Sequence, residues 1–249
     1  MVYYKQLIAG IASFCSCAAI MAIFGDALAW HRMPKYDTIE IAKQHILDDA
    51  GFDLFSYYCP TPIGKNMQTT IILFSVSFII IRGVFFMRNG QLIIQRLIHT
   101  SCIMMLLRTA TLVVTSYPNP NPQCYLESTV PIDYFGPNGS ISQTIYSFPT
   151  KSCGNLMFSG HTMFLTLFAL FEYKYKIIPR KYFLLTVAKT ALGYYSIIAC
   201  RSHYSVDVLV SFIVTNMTFQ LYIAHFPKWA EIPEIPENPN KFVELTAMV

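Results

Sequence analysis

Apolar residues run in long blocks along this chain, interrupted by short polar stretches rather than alternating with them. A helix needs about 20 mostly apolar residues to cross a bilayer. Six segments meet that length approximately: 7–30, 67–86, 97–117, 156–171, 182–200 and 208–226. Each carries few charges, among them Asp26, Arg82, Arg108 and Lys189. The expected fold is therefore an all-α polytopic membrane protein with six transmembrane helices over 1–226. A Pro/Glu-rich tail follows at 227–249. The first block invites comparison with a secretory signal peptide, because Ala27-Leu28-Ala29 resembles a cleavage site. Its apolar run exceeds the 7–15 residues of a typical signal core, which favours a retained span.

Composition agrees with burial in lipid. Of 249 residues, 54% are hydrophobic and 13% charged, against about 25% charged in an ordinary soluble domain. The mean hydropathy is +0.42. So little charge cannot coat a soluble surface, and a net charge of +4 is too small to suggest a nucleic-acid partner.

The distribution of that charge orients the spans, since Lys and Arg collect in short cytosolic loops. Arg82, Arg88 and Arg96 surround the second–third connection, and Lys174, Lys176, Arg180 and Lys181 fill the fourth–fifth. The long connection 118–155 carries only Lys151, and 31–66 balances four basic residues against five acidic ones. Both termini are thus expected in the cytosol, with the odd-numbered connections outside. Asn138-Gly139-Ser140, a glycan acceptor triplet, lies in the outer connection, as do Cys124 and Cys153, where a disulfide would persist. Whether those two pair is left open.

The few polar groups near span ends are where chemistry has to reside. His31, His45 and His99 have no partner at a useful spacing. His203 and Asp207 stand four apart, on one face of a helix start. Asp207 is positioned to take the proton of one imidazole nitrogen and leave the other as a nucleophile. His161 follows Ser159-Gly160 at the opening of span four, with Ser159 a fitting N-cap. A surface pair and a capped helix are the bland alternatives. Topology argues otherwise, because span four starts outside and the fifth–sixth connection also lies outside. His161 and His203–Asp207 should meet there, beside Arg201 and near Arg108. Intramembrane ionisable groups are functional candidates by default. Two histidines, an aspartate and guanidinium groups suit metal-free phosphoryl transfer.

At these residues the sequence resembles the sphingomyelin synthase (ceramide phosphotransferase) family, a branch of the lipid phosphate phosphatase superfamily. The family's third motif, C-G-D-x-x-x-S-G-H-T, reads Cys153-Gly154-Asn155-Leu156-Met157-Phe158-Ser159-Gly160-His161-Thr162, with Asn155 for Asp. The fourth, H-Y-(S/T)-x-D-V followed by F-x-x-Y-H, is met by His203 to Val208, Phe219 and Tyr222, with Ile223 in place of the closing His. Arg96, Arg108, Thr111, Thr115 and Pro118-Asn119-Pro120 resemble the second motif. The likeness runs from about Arg96 to Tyr222.

The resemblance implies a lipid phosphate phosphatase-like core and a double displacement. His203, assisted by Asp207, would take a phosphorylated headgroup from a glycerophospholipid and release diacylglycerol. His161 would protonate the leaving oxygen and then deprotonate ceramide. Arg108, Arg201, Ser159 and Tyr204 are expected to bind substrate, with no metal or cofactor. Many animal members read A-H-(D/E)-H-Y where this chain has Ala199-Cys200-Arg201-Ser202-His203-Tyr204. An Arg here is similar to plant and protozoan inositol-phosphorylceramide synthases, so choline, ethanolamine and inositol all stay open. The alternatives are a lipid phosphate phosphatase and, given Asn155, a catalytically weakened lipid sensor. The first phosphatase motif, K-x-x-x-x-x-x-R-P, has no match before Ser159. Ceramide, phospholipid and diacylglycerol are the expected partners and a homodimer is allowed for. The compartment is left among Golgi, plasma membrane and endoplasmic reticulum, with the site facing lumen or exterior.

Overall fold

A computed structural model describes residues 2–21, 25, 29, 38–57, 63–87, 90–115, 117–121 and 156–225. Asn155, Cys124, Cys153, Asn138, His31 and the tail lie outside the described residues, so the expectations placed on them are not met with structure here. Among the described residues every regular element is helical: α1 (Val2–Ile20), α2 (Ile39–Gln44), α3 (Ala50–Leu54), α4 (Ile63–Phe86), α5 (Gly90–Val114), α6 (Gly160–Lys174), α7 (Phe183–Ala199) and α8 (Ser205–His225). A 3-10 turn, Arg180–Tyr182, leads into α7.

Among the described residues, four helices are long and apolar enough to cross a membrane: Met67–Phe86, Gly90–Val114, Arg180–Ala199 and Ser205–His225. Ile8–Ile20 is a shorter apolar helix. The boundaries differ from the hydropathy reading in two instructive places. Helix α5 starts seven residues before the predicted 97, because Arg96 and Gln95 are buried against other helices instead of ending the span at a headgroup. Helix α6 starts at Gly160 rather than 156, because the Ser159 side chain accepts a hydrogen bond from the Thr162 N–H and caps it.

The short helix is the centre of the fold. With 15 residues, α6 is about 22 Å long, and it packs against α4, α5, α7 and α8. Leu167, Phe168 and Phe171 join Ile79 of α4, Ile93 and Leu97 of α5 and Phe219 of α8 in one buried cluster. Lipid tails are as apolar as these side chains, so close packing and hydrogen bonds must hold the helices together. The outward faces carry exposed Phe85, Leu184 and Leu209, as lipid-facing positions should.

One polar anchor fastens three helices within this apolar surround. Glu172 of α6 is fully buried, accepts a hydrogen bond from Thr186 Oγ1 at 2.7 Å, and pairs with Lys189 Nζ of α7 at 2.6 Å. Lys189 also donates to Ser75 Oγ of α4 at 2.9 Å. Removing one member of a buried pair strands the other charge at a cost of about 3–5 kcal/mol. Lys189→Met should therefore lower the thermal midpoint in detergent markedly, and the double variant with Glu172→Gln should recover most of the loss.

Antiparallel packing sends the polar ends to opposite poles. The end of α4, the start of α5 and the α6–α7 connection share one end, where Met87, Ile93, Tyr175 and Ile177 join one cluster. The α6 start, the α7–α8 loop and the α2–α3 segment share the other.

Candidate active site

Segments distant in the chain meet at that second pole. The two histidines approach from different elements, His161 from the first turn of α6 and His203 from the loop between α7 and α8. Their ring centroids are 6.5 Å apart with planes inclined at 62°. That spacing accommodates one phosphoryl group, given near-attack separations of about 3–3.5 Å on either side.

His203 is buried and its tautomer is defined by its surroundings. Nδ1 is 3.1 Å from the Leu156 carbonyl oxygen, which accepts only from an N–H, so Nδ1 carries the proton and Nε2 is bare. Asp207 Oδ2 lies 3.6 Å from the same Nδ1. The nearer acceptor is thus a backbone carbonyl, and the carboxylate stands just behind it. Asp207 is itself held on both oxygens. Oδ2 accepts from the Tyr204 N–H at 3.0 Å, and Oδ1 from the Tyr117 hydroxyl. The Tyr204 bond is the backward half of a capping box at the start of α8.

Burial, then the Arg108 charge, then His161, hold His203 well below the ordinary imidazole pKa, against a smaller upward pull from the Leu156 carbonyl. It is therefore neutral at pH 7, as a nucleophile must be. Because the folded pKa is depressed, an unfolded chain takes up a proton near pH 6.5 that the folded loop refuses. Stability should fall as pH drops below about 6.5, by at most about 1.4 kcal/mol per pH unit from this group. Thermal midpoints between pH 7 and 5 check this, and His203→Gln should flatten the profile.

Arg108 is buried between the two halves of the site. Its guanidinium donates to the Phe158 carbonyl and lies against Gly160, where a Cβ would come within 3.4 Å of Cζ and Nε. The cation thus sits in van der Waals range of the helix start that carries His161. Ser159 serves the scaffold twice, capping α6 and accepting Ser211 Oγ on its carbonyl at 2.6 Å. Tyr204 is buried, and its hydroxyl donates to the Pro118 carbonyl at 3.0 Å.

Of the residues singled out from sequence, His161, His203, Asp207, Arg108 and Ser159 converge. Tyr204 adjoins them through its backbone. Arg201 turns elsewhere: Nη2 donates to the Phe52 carbonyl at 3.0 Å and the guanidinium lies 3.9 Å over the Phe52 ring. Sequence reasoning missed Tyr117, the Leu156 carbonyl and Thr69, whose Oγ1 lies 3.3 Å from His161 Nε2. Proximity of Tyr117 to Pro118-Asn119-Pro120 was the one available hint.

Comparison with known proteins adds four findings. Residues 152–224 match the PAP2 superfamily C-terminal family. Over 138 residues, 54% of this chain and 40% of the relative, it is 38% identical to a phosphatidylinositol:ceramide inositolphosphotransferase of Trypanosoma cruzi. It is 35% identical over 130 residues (50% of this chain, 38% of the relative) to a phosphatidylethanolamine:ceramide ethanolaminephosphotransferase of Trypanosoma brucei brucei. A longer match, 23% identical over 240 residues, covers 90% of this chain and 46% of the sphingomyelin synthase-related 1 protein of Caenorhabditis elegans. The chain thus spans less than half the length of these relatives.

Proposed function

We propose that this chain, which belongs to the sphingomyelin synthase family, transfers a phosphorylated headgroup from a glycerophospholipid to ceramide through a phosphohistidine on His203. The observation that carries the reading is the fixed tautomer of His203, whose bare Nε2 belongs to the same polar cluster as His161 and Arg108. In the first step Nε2 attacks phosphorus, a P–N bond forms, and the P–O bond to diacylglycerol breaks. His161, protonated, gives its proton to the leaving oxygen. Ceramide then replaces diacylglycerol, and neutral His161 takes the proton of its primary hydroxyl. That oxygen attacks phosphorus, the P–N bond breaks, and both histidines return to their starting states. Asp207, 3.6 Å from Nδ1, stabilises the imidazolium that develops as the P–N bond forms, and Arg108 faces the phosphate charge.

The headgroup is read from the relatives. Two of those named above are named for phosphatidylinositol and phosphatidylethanolamine, so phosphoinositol and phosphoethanolamine are favoured, with phosphocholine as the third donor. The site lies at the lumenal or exterior leaflet of a six-span protein with cytosolic termini, a reading that rests on Lys174, Lys176, Arg180 and Lys181 at the opposite pole. Glycan addition to an acceptor tag placed in 175–182 would overturn that orientation.

The test is incubation of the protein in vesicles with ceramide and each of the three phospholipids, labelled in the headgroup. A ceramide-linked labelled product with stoichiometric diacylglycerol is expected. Free phosphate from phosphatidic acid, with no ceramide-linked product, would replace this reading with a lipid phosphate phosphatase.

A further inference from the structure

We propose that residues 47–55, in the connection between the first two predicted spans, form a clasp that sets the position of His203, with Asp49 as its positioning residue; this rests on His203 being the nucleophile. One carboxylate fastens two helix starts. Asp49 Oδ1 accepts from the Gly51 and Phe52 N–H groups at 2.9 and 3.2 Å, capping α3, and from Ser205 Oγ at 2.7 Å. Oδ2 accepts from the Ser205 N–H at 2.7 Å, at the first residue of α8. This N–H is among those that the start of α8 leaves without an intrahelical partner. Asp49 supplies the acceptor from 156 residues away.

The other side of His203 is fastened to the same segment. Helix α7 ends in a Schellman turn, with Ser202 N–H donating to the Ile197 carbonyl and Arg201 N–H to that of Ile198, each at 3.0 Å. Arg201 occupies the left-handed position of that turn, φ 54°, where glycine is usual. The side chain kept there donates to the Phe52 carbonyl and stacks on the Phe52 ring. Tyr204 packs on Phe52 with centroids 5.4 Å apart, and its hydroxyl accepts from the Leu47 N–H at 3.3 Å. Phe55 sets its edge against Tyr195 of α7 at 5.3 Å. His203 is therefore suspended between Arg201 and Ser205, both tied to one short segment.

The fit is close. A Cβ on Gly51 would fall 2.0 Å from Ser205 Oγ and 3.0 Å from Ile198 Cγ2, so with a larger residue either Ser205 Oγ leaves Asp49 or α3 shifts from the loop. A five-residue helix such as α3 does not persist alone. Its order and that of the loop depend on one another. Misplacing a reacting atom by about 1 Å can cost about 10²-fold in rate, so the clasp acts on chemistry without touching substrate.

Asp49→Asn separates the two roles. Asn caps helices as well as Asp, yet its single carbonyl oxygen cannot serve both the α3 N–H groups and the Ser205 N–H, which Asp49 holds on different oxygens. The amide NH2 then meets one set of N–H groups, donor against donor. In the full chain in nanodiscs, amide exchange across 201–205 should accelerate at least about 10-fold. The kcat for headgroup transfer should fall about 10- to 100-fold, with KM for phospholipid near that of the unsubstituted protein. Gly51→Ala, which leaves the carboxylate intact, should reproduce both effects. Unchanged exchange in both variants overturns the clasp, as does faster exchange with kcat unaltered. Should the unsubstituted protein transfer no headgroup, the functional reading falls by itself, and the exchange measurement alone decides the clasp.

Discussion

His203→Ala is expected to lower headgroup transfer to ceramide by at least about 10³-fold, the scale of losing a nucleophile from a unit whose members act together. The loss should be in kcat, because phospholipid binding draws on the apolar helices and on Arg108, which stay in place. The variant should fold, since the change removes one hydrogen bond to the Leu156 carbonyl and the contacts with Asp207 and His161, while the buried apolar cluster between the helices is untouched. Asp207→Asn should do less. The proton on Nδ1 is already fixed by the Leu156 carbonyl, and the carboxylate at 3.6 Å contributes charge rather than tautomer choice. Steady-state rates with labelled phospholipid, beside melting curves, check the order of the two effects. A His203→Ala protein with near-normal kcat would remove the nucleophile assignment.

The second large effect belongs to His161. His161→Ala should lower transfer about 10²- to 10⁴-fold, the range for a general acid or base. Its signature is dependence on the leaving group. Diacylglycerol is a poor leaving alcohol and needs a proton as the P–O bond breaks. A phospholipid analogue with an acidic phenol as leaving group does not. Formation of the enzyme-bound intermediate from that analogue should be nearly as fast in His161→Ala as in the unsubstituted protein, while transfer onward to ceramide stays slow. Equal impairment with both leaving groups would assign His161 to binding instead.

Much of this arrangement was legible in the chain. Blocks of apolar residues disclosed the long helices, and the alternation of their directions placed His161 and His203–Asp207 at one pole before any coordinates. The rest escaped for physical reasons. Arg96 looked like a span boundary, because charge usually stops a span at the headgroup, whereas packing buries it. The acceptor that fixes the His203 tautomer is a backbone carbonyl, and a carbonyl has no signature in a side-chain pattern. Asp49 lies among mixed charges in 31–66, with nothing local to distinguish it from Asp48 or Asp53. Its partner is 156 residues distant. Arg201 was read as a phosphate ligand from its neighbours in sequence, yet its side chain turns to Phe52. Spacing along one helix shows which residues share a face, but contacts between distant segments depend on how the loops close.

The central claim is the covalent intermediate on His203. It is tested most directly by incubating the protein with headgroup-phosphate-labelled phospholipid without ceramide, quenching in alkali, and mapping the label by mass spectrometry. Label is expected on the His203 peptide alone, and absent from His203→Ala. Adding ceramide before the quench should discharge it into a ceramide-linked product. Label on His161, or full-rate transfer to ceramide with no labelled peptide at all, would contradict it.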